Sequence, residues 1–500
     1  MSSRKHLWID LPIPQIIMLV CLISYACNKD FIGKETPNQP PQTFCVVDTI
    51  IRTGDNRLSA LVTANWWGDD PDGYIVRYEY TFDSIAGQQS NWLSILRQDS
   101  TFLLPIPAGN DTFDFNFFIR AVDNRGSKDP SPARLTFPVR NSTPAVVFVP
   151  GIQNPLESFP VVKFFWQATD PDGAENLNFF ELCWNDTTQS PYNLNIGAVA
   201  AMFEAESLTG NTTNCYVYQN NNNFPLDFTI SGLKLNDTNR LYIRVVDKAL
   251  SKSKYVSSYP IFIKKPVSEI LLVDGYGNNG ANQINFYAQN LNSVGISAFD
   301  TLSIFKTQGA VNITLSPDNL TQSRVFNLFK TIIWFSNSAS ASLSLGQKTL
   351  NDFFNSGGKL FFSTYVSSSF DQQSNFLDFT PAQSLTVLPA DTQLVLNSNS
   401  TINALLSGYP NLTSSAIVSV VRPFNLTIGA SSIYTAELLA KKVSTGTLNP
   451  WTGNSVIMAK KTDNNGNTNF IFTTLELNKL NGLNNMNTLF QKIFIDEFGL

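Results

Sequence analysis

Histidine is almost missing. The chain has one, His6, among its first residues. From that point on, no Ser-His-Asp or Cys-His couple and no His-ligated metal can be built. Cysteine is scarce too: Cys21, Cys27, Cys45, Cys183 and Cys215, with none later, so the last part of the chain has no thiol nucleophile. Charge is sparse, at 15% of residues, and its balance of 34 basic against 39 acidic groups contains no basic run. Phosphate contacts need clustered Lys and Arg, so nucleic acid is excluded as a partner. No long apolar run follows residue 27, so nothing beyond it is expected to span a membrane. What is present is abundant Asn, Ser and Thr, the composition of exported β-rich proteins. A chain of 500 residues exceeds one core, so several domains are expected.

The start carries Arg4 and Lys5, then an apolar stretch from Leu11 to Ala26 broken by Pro12, Pro14 and Gln15. It is short of the roughly 20 apolar residues a spanning helix needs. Ser24-Tyr25-Ala26-Cys27 resembles the lipobox of bacterial lipoproteins. The resemblance implies that residues 1–26 are a signal peptide and that Cys27 becomes the lipidated first residue, carrying acyl chains such as palmitate. The competing reading is an uncleaved N-terminal anchor. Residues 27–45 read as a polar, Pro-containing tether. Their opening Asn28-Lys29-Asp30 resembles surface-export signals of Bacteroidota lipoproteins, which implies the outer membrane and surface exposure. The expected location is therefore the cell envelope, with the membrane as partner through the lipid.

Residues 46–265 contain an internal repeat. Trp66-Trp67-Gly68-Asp69 runs into Asp70-Pro71-Asp72-Gly73; Phe165-Trp166-Gln167-Ala168-Thr169 runs into Asp170-Pro171-Asp172-Gly173. Each copy later closes a strand with a related ending, Ile119-Arg120-Ala121-Val122-Asp123 and Ile243-Arg244-Val245-Val246-Asp247. The second copy holds an insertion between the two marks. Flanking segments alternate with period two. Val62, Ala64 and Trp66 share the expected core face, Trp67 the other; Tyr74, Val76, Tyr78, Tyr80 and Phe82 face one way, Arg77, Glu79 and Thr81 the other. Pro and Gly in the tetrads suit turns. The pattern resembles fibronectin type III and immunoglobulin-like domains of bacterial surface proteins, which implies β-sandwiches over 46–140 and 141–265. In that fold the tetrads and strand endings meet at one pole. Asp70, Asp72 and Asp123 (with Asn124), or Asp170, Asp172 and Asp247, would then offer oxygen ligands for Ca²⁺. The plainer alternative, which we prefer, is that they cap turns. Trp67 and Trp92 would serve sugar stacking if exposed, or ordinary packing otherwise. A Cys183–Cys215 disulfide would tie the insertion to the sheet and contribute about 2–4 kcal/mol; the alternative is two buried thiols. Cys45 is the odd one.

After Lys264-Lys265-Pro266 the rhythm changes. Continuous apolar runs, Ile270–Val273, Thr331–Phe335, Leu360–Phe362 and Asn469–Thr474, alternate with helical patterns around 283–292, 347–355 and 486–497. That predicts a doubly wound α/β domain over 266–500, and for the whole chain a multidomain fold of two immunoglobulin-like sandwiches followed by it. Leu271-Leu272-Val273-Asp274, Gly357-Gly358-Lys359 and the closing helix resemble the class I glutamine-amidotransferase-like, flavodoxin-like family. The resemblance implies a Cys nucleophile after the strand at Lys359–Phe362 with a later His. Here that strand runs into Ser363-Thr364-Tyr365, and both residue types are missing. It therefore implies the fold without the activity. Gly275-Tyr276-Gly277-Asn278-Asn279-Gly280 matches a dinucleotide-loop spacing, but Asp274 sets negative charge beside the supposed phosphates.

Ligands of such sheets sit beyond the strands' carboxyl ends. The candidate crevice is Asp274, Gly275, Tyr276, Ser336, Asn337, Ser363, Thr364 and Tyr365. The expectation is a non-catalytic binding or scaffolding protein of the envelope, recognising a glycan or another envelope protein, with no cofactor beyond the Ca²⁺ considered above. The rival is an exported hydrolase using Asp274 and Asp300. A closed crevice favours binding; clustered carboxylates favour hydrolysis.

Overall fold

The computed structural model describes residues 36–47, 58–59, 61–82, 91–104, 106–107, 110, 112–150, 155–372, 377 and 379–500. Among them strand far outweighs helix. The chain divides after Arg140 into two compact units.

The first unit contains β1 (Gln42–Val47), β2 (Leu61–Asp69), β3 (Ile75–Phe82), β4 (Leu93–Ile95), β5 (Asp99–Leu103), β6 (Thr112–Asp123) and β7 (Ala133–Arg140). β1, β2 and β5 form one sheet; β7, β6, β3 and β4, joined by Leu58–Ser59, form the other. Period-two alternation works for β2, where Val62, Ala64 and Trp66 are buried and Trp67 is exposed. It fails at the start of β3. A bulge between Ile75 and Arg77 shifts the register, so Tyr74 and Val76 face solvent although Tyr78 and Phe82 are buried. The tether also ends earlier than residue 45. β1 already pairs with β2 from Gln42, so Cys45 belongs to the sandwich.

The second unit opens with β8 (Ala145–Phe148), β9 (Val161–Thr169), β10 (Leu177–Trp184), β11 (Tyr192–Asn195), β12 (Ala200–Ala205), β13 (Thr212–Gln219), β14 (Thr229–Lys234) and β15 (Leu241–Asp247). The repeat is visible in register. β5 lies against the start of β2 as β12 lies against the start of β9. The indole N–H of Trp66 donates to Arg97 O at 2.9 Å, and that of Trp166 to Ala198 O at 2.8 Å. The expected insertion is the β13–β14 hairpin, which extends the β12 edge.

The expected disulfide is absent: Cys183 and Cys215 are free thiols. β10 and β13 lie in different sheets. Cys215 packs inside the core with Phe203 and Val217, whereas the Cys183 side chain is on the far side of β10 from the core residues Leu182 and Trp184.

Residues 266–500 build a nine-stranded sheet. Its elements begin β16 (Ile270–Gly275), α1 (Ala281–Ser293), β17 (Asp300–Ser303), α2 (Asn319–Phe326), β18 (Thr331–Ser336), α3 (Ala339–Thr349), α4 (Asn351–Asn355) and β19 (Lys359–Thr364). A β-rich stretch follows with β20 (Ala382–Leu385), β21 (Thr392–Leu396), β22 (Thr401–Ala404), β23 (Val418–Val421), β24 (Phe424–Leu426), β25 (Ser431–Ala436), β26 (Leu439–Lys442) and β27 (Val456–Thr462). β28 (Thr468–Thr473) and α5 (Met486–Phe490), which continues in wider turns over Gln491–Glu497, complete it. β17, β16, β18, β19 and β28 lie side by side and parallel. β27, β25 and β22 extend the sheet antiparallel. α1 and α5 pack on one face through Tyr287, Leu291 and Phe490. α2, α3 and α4 pack on the other through Phe326, Leu343 and Phe353. α2 and the β-rich stretch were not anticipated. Among the described residues no helix is long and apolar enough to cross a membrane.

The second sandwich and this sheet share a core: Phe159, Val161, Met202 and Tyr218 join the α2–α4 side. Lys163, fully buried, pairs with Asp318 at 3.5 Å and donates to Asn221 Oδ1 at 2.8 Å. Arg324 of α2 pairs with Glu204 and lies over the Tyr218 ring.

Candidate functional site

The candidate residues lie where the parallel strands end. Asp274 closes β16, Ser336 closes β18, and Ser363 and Thr364 close β19; all four side chains are buried. Each is already engaged. Asp274 Oδ1 accepts the Tyr276 N–H at 2.9 Å and Oδ2 accepts the Ser303 hydroxyl at 2.9 Å. Burial raises the Asp274 pKa, partly countered by those two donors. The Ser342 hydroxyl donates to Ser336 Oγ at 2.7 Å, and the Ser363 hydroxyl donates to Leu475 O at 2.8 Å. Thr364 hydroxyl points at Tyr365 O, and the Tyr365 N–H donates to Ser336 O at 3.0 Å. The Tyr276 hydroxyl donates to Glu476, which also receives Lys479. Asn337 alone among the eight is exposed.

Glu476 was not anticipated, although an acid just past the carboxyl end of the β28 run is the available signal. It faces Tyr276, and burial with the adjacent carboxylate drives the Tyr276 hydroxyl far above its ordinary range. Such a tyrosine is a neutral donor, not a base. Asp300 is elsewhere. It pairs with Leu271 at the opposite end of β16 from Asp274, and its carboxylate accepts the Val267 and Ser268 N–H groups. Three residues of strand separate the two positions, roughly 10 Å. The structure does not bring the hydrolytic pair together.

The glycine-rich turn is shaped by Asp274, not by phosphate. A Cβ on Gly280 would lie 2.0 Å from Asp274 Oδ2. The carboxylate thus occupies the start of α1, where a pyrophosphate would have to sit.

At the sandwich poles the carboxylates hold chain. Asp123 accepts the Asn38 amide at 2.5 Å and the Ser127 N–H at 2.8 Å; Asp72 accepts the Gln39 N–H at 3.2 Å. The second copy repeats the device. Asp247 accepts the Asn141 amide at 2.5 Å, and Asp172 accepts the Ser142 N–H at 2.5 Å and hydroxyl at 3.0 Å. Asp170 Oδ1 accepts the Asp172 N–H at 2.8 Å, and Asp70 Oδ1 makes the matching bond at 3.4 Å. Asn124 Oδ1 accepts the Tyr74 N–H. Among the described residues no three acidic, His or Cys side chains are arranged for an ion. Where Ca²⁺ ligation was considered, these bonds form a clamp that docks the segment entering each sandwich. Burial pushes Asp123 up, but Asn38, Ser127 and Arg125 pull it below the usual range. Burial raises Asp170 and Asp247.

The aromatic candidates divide. Trp92 is covered by Arg120 at 4.0 Å. Trp67 stays 46% exposed and stacks on Phe44 at 5.5 Å. Cys27 lies outside the described residues.

No family model matches the chain. No curated protein matches it either. Among solved structures, the chain is similar to the PKD1 domain of Vibrio anguillarum Epp, at 16% identity over 21% of this chain and 96% of that one, TM-score 0.15. It is similar to the fibronectin(III)-like modules of Clostridium thermocellum CbhA, at 11% identity over 44% and 94%, TM-score 0.18. A two-domain fibronectin type III segment of chicken tenascin matches at 11% identity over 45% and 99%, TM-score 0.21. Scores this low carry no functional weight. The sandwich description rests on the pairing of the strands themselves.

Proposed function

We propose that this chain is an exported envelope lipoprotein, anchored through Cys27, whose sandwiches present a non-catalytic binding domain. Its last region is a doubly wound, flavodoxin-like fold similar to class I glutamine amidotransferases. The strand order supports that reading: numbered along the chain, the five parallel strands lie in the order 2-1-3-4-5. One observation carries the non-catalytic part. Among the described residues Asp274, Ser336 and Ser363 at the strand ends are each held by a neighbouring hydrogen-bond partner, and none of the three is left free to act as nucleophile or base. The hydrolase reading is the weaker because Asp274 and Asp300 sit at opposite ends of β16. The role is binding or scaffolding, with a glycan or an envelope protein as partner.

A pull-down from envelope extract and a glycan panel, with the chain from residue 28 as bait, tests this. Specific retention of a glycan or envelope protein is expected. Retention of nothing contradicts the binding role. For the anchor, acyl mass on Cys27 and membrane fractionation are expected, and C27S should move the chain to the soluble fraction.

A further inference from the structure

A cavity of about 450 Å³ opens between the loop that follows β19 and the β-rich stretch. That is the size of a metabolite site. Ser368 and Gln372 of the loop, Thr386, Leu388 and Gln393 of β21 line it. Arg422, immediately after β23, is the only charged residue among the described residues of the lining. Its position is set by two backbone carbonyls: one terminal nitrogen, Nη1, donates to Ser367 O at 2.9 Å and Ser368 O at 3.2 Å. No carboxylate pairs with it among the described residues, and its Nε–H is buried without an acceptor. Burial draws its pKa below the ordinary guanidinium range, yet a guanidinium keeps its proton at neutral pH. A half-withdrawn cation without a counter-charge is costly, and an anion bound beside it offsets that cost.

We propose that this cavity binds the carboxylate of a sugar acid, free or at the end of an oligosaccharide, with Arg422 as its counter-charge. The inference rests on the binding reading above and names its ligand chemistry. One planar cation matches one planar carboxylate, whereas a phosphate dianion would keep an uncompensated charge. Gln372 and Gln393 suit ring hydroxyls. The Gln372 oxygen accepts the Leu385 N–H at 2.7 Å, and its NH₂ has no partner among the described residues. Leu388 and Val443 supply an apolar surface for the ring's C–H face.

Calorimetric titration of the detergent-solubilised full chain with D-glucuronate tests the assignment. Glucuronate binding is expected, with glucose and inorganic phosphate each at least tenfold weaker. R422Q should weaken glucuronate at least tenfold. Q393E should do the same while leaving the Arg422 hold on Ser367 and Ser368 intact, and its unchanged melting temperature would show that folding is not the cause. Tighter binding of an oligoglucuronate identifies a polymer end, equal binding a free acid, and either supports the site. No glucuronate binding, equal binding of phosphate, or full binding by both variants overturns it. NMR of the recovered ligand separates the two readings: bound but altered glucuronate would leave the cavity standing and sink the non-catalytic role.

Discussion

Glu79 and Glu181 are buried acids on equivalent strands of the two sandwiches, and each is held by a strand arginine and a following lysine. Arg120 and Lys128 reach Glu79 at 2.7 and 3.0 Å; Arg244 and Lys252 reach Glu181 at 2.5 and 2.8 Å. An aromatic ring covers each arginine, Trp92 over Arg120 and Tyr255 over Arg244. Burial pushes both carboxyls up, but the hydrogen bonds and charges of these cations outweigh it and hold them below their ordinary 4.5. A carboxyl depressed by folding stabilises the folded state above its unfolded pKa and loses that contribution as pH falls through the folded one. In the first sandwich Asp123 is depressed as well. In the second, Asp170 and Asp247 are raised and act in the opposite direction. Calorimetry should therefore show the first sandwich's melting temperature falling more steeply below pH 4.5 than the second unit's. Equal slopes would contradict this. Asp172→Ala removes the Ser142 clamp and should cost about 1–3 kcal/mol, read by denaturant unfolding, and Ca²⁺ should not alter the wild-type midpoint.

At the level of elements, the two cysteines show what periodicity can and cannot decide. Strand alternation places Cys183 opposite Leu182 and Trp184, but the phase of Cys215 on an inserted hairpin was not legible, and it points into the core. Burial raises all three described thiols, Cys45 to about 11. Ellman's reagent at neutral pH should find them unreactive in the folded chain and titrate all three after guanidinium unfolding. Reductant should leave the melting temperature unchanged. The β3 bulge defeated simple alternation for a related reason: a register shift is a tertiary event that leaves no mark in the hydrophobic pattern. The tetrads were legible as turns because Pro and Gly act locally, whereas their Asn38 and Asn141 partners depend on where the entering segment docks. Gly280 was legible as a glycine but not as a contact. G280A forces a methyl against the Asp274 carboxylate and should destabilise by about 1–3 kcal/mol.

Across the whole molecule, the break after Arg140 and the core shared between the second sandwich and the sheet imply two unfolding units, not three. The parallel strands were readable as continuous apolar runs. The β-rich stretch between β19 and β28 was not, because its strands are short and their partners lie far along the chain. Lys163, buried in a sandwich strand against Asp318, is the test of the shared core. Removing it leaves a partly exposed carboxylate that can rehydrate, so Lys163→Ala should cost about 2–3 kcal/mol, below the range for a fully buried pair. The loss should appear in a single transition covering both parts; separate transitions would contradict the shared core. On the proposed function, the strand ends hold chain together and perform no chemistry. Reducing-end release from bound envelope polysaccharide, compared between the wild-type chain and D274N, tests it most directly. Retention without release in both is the predicted result; release by the wild type that D274N abolishes would contradict it.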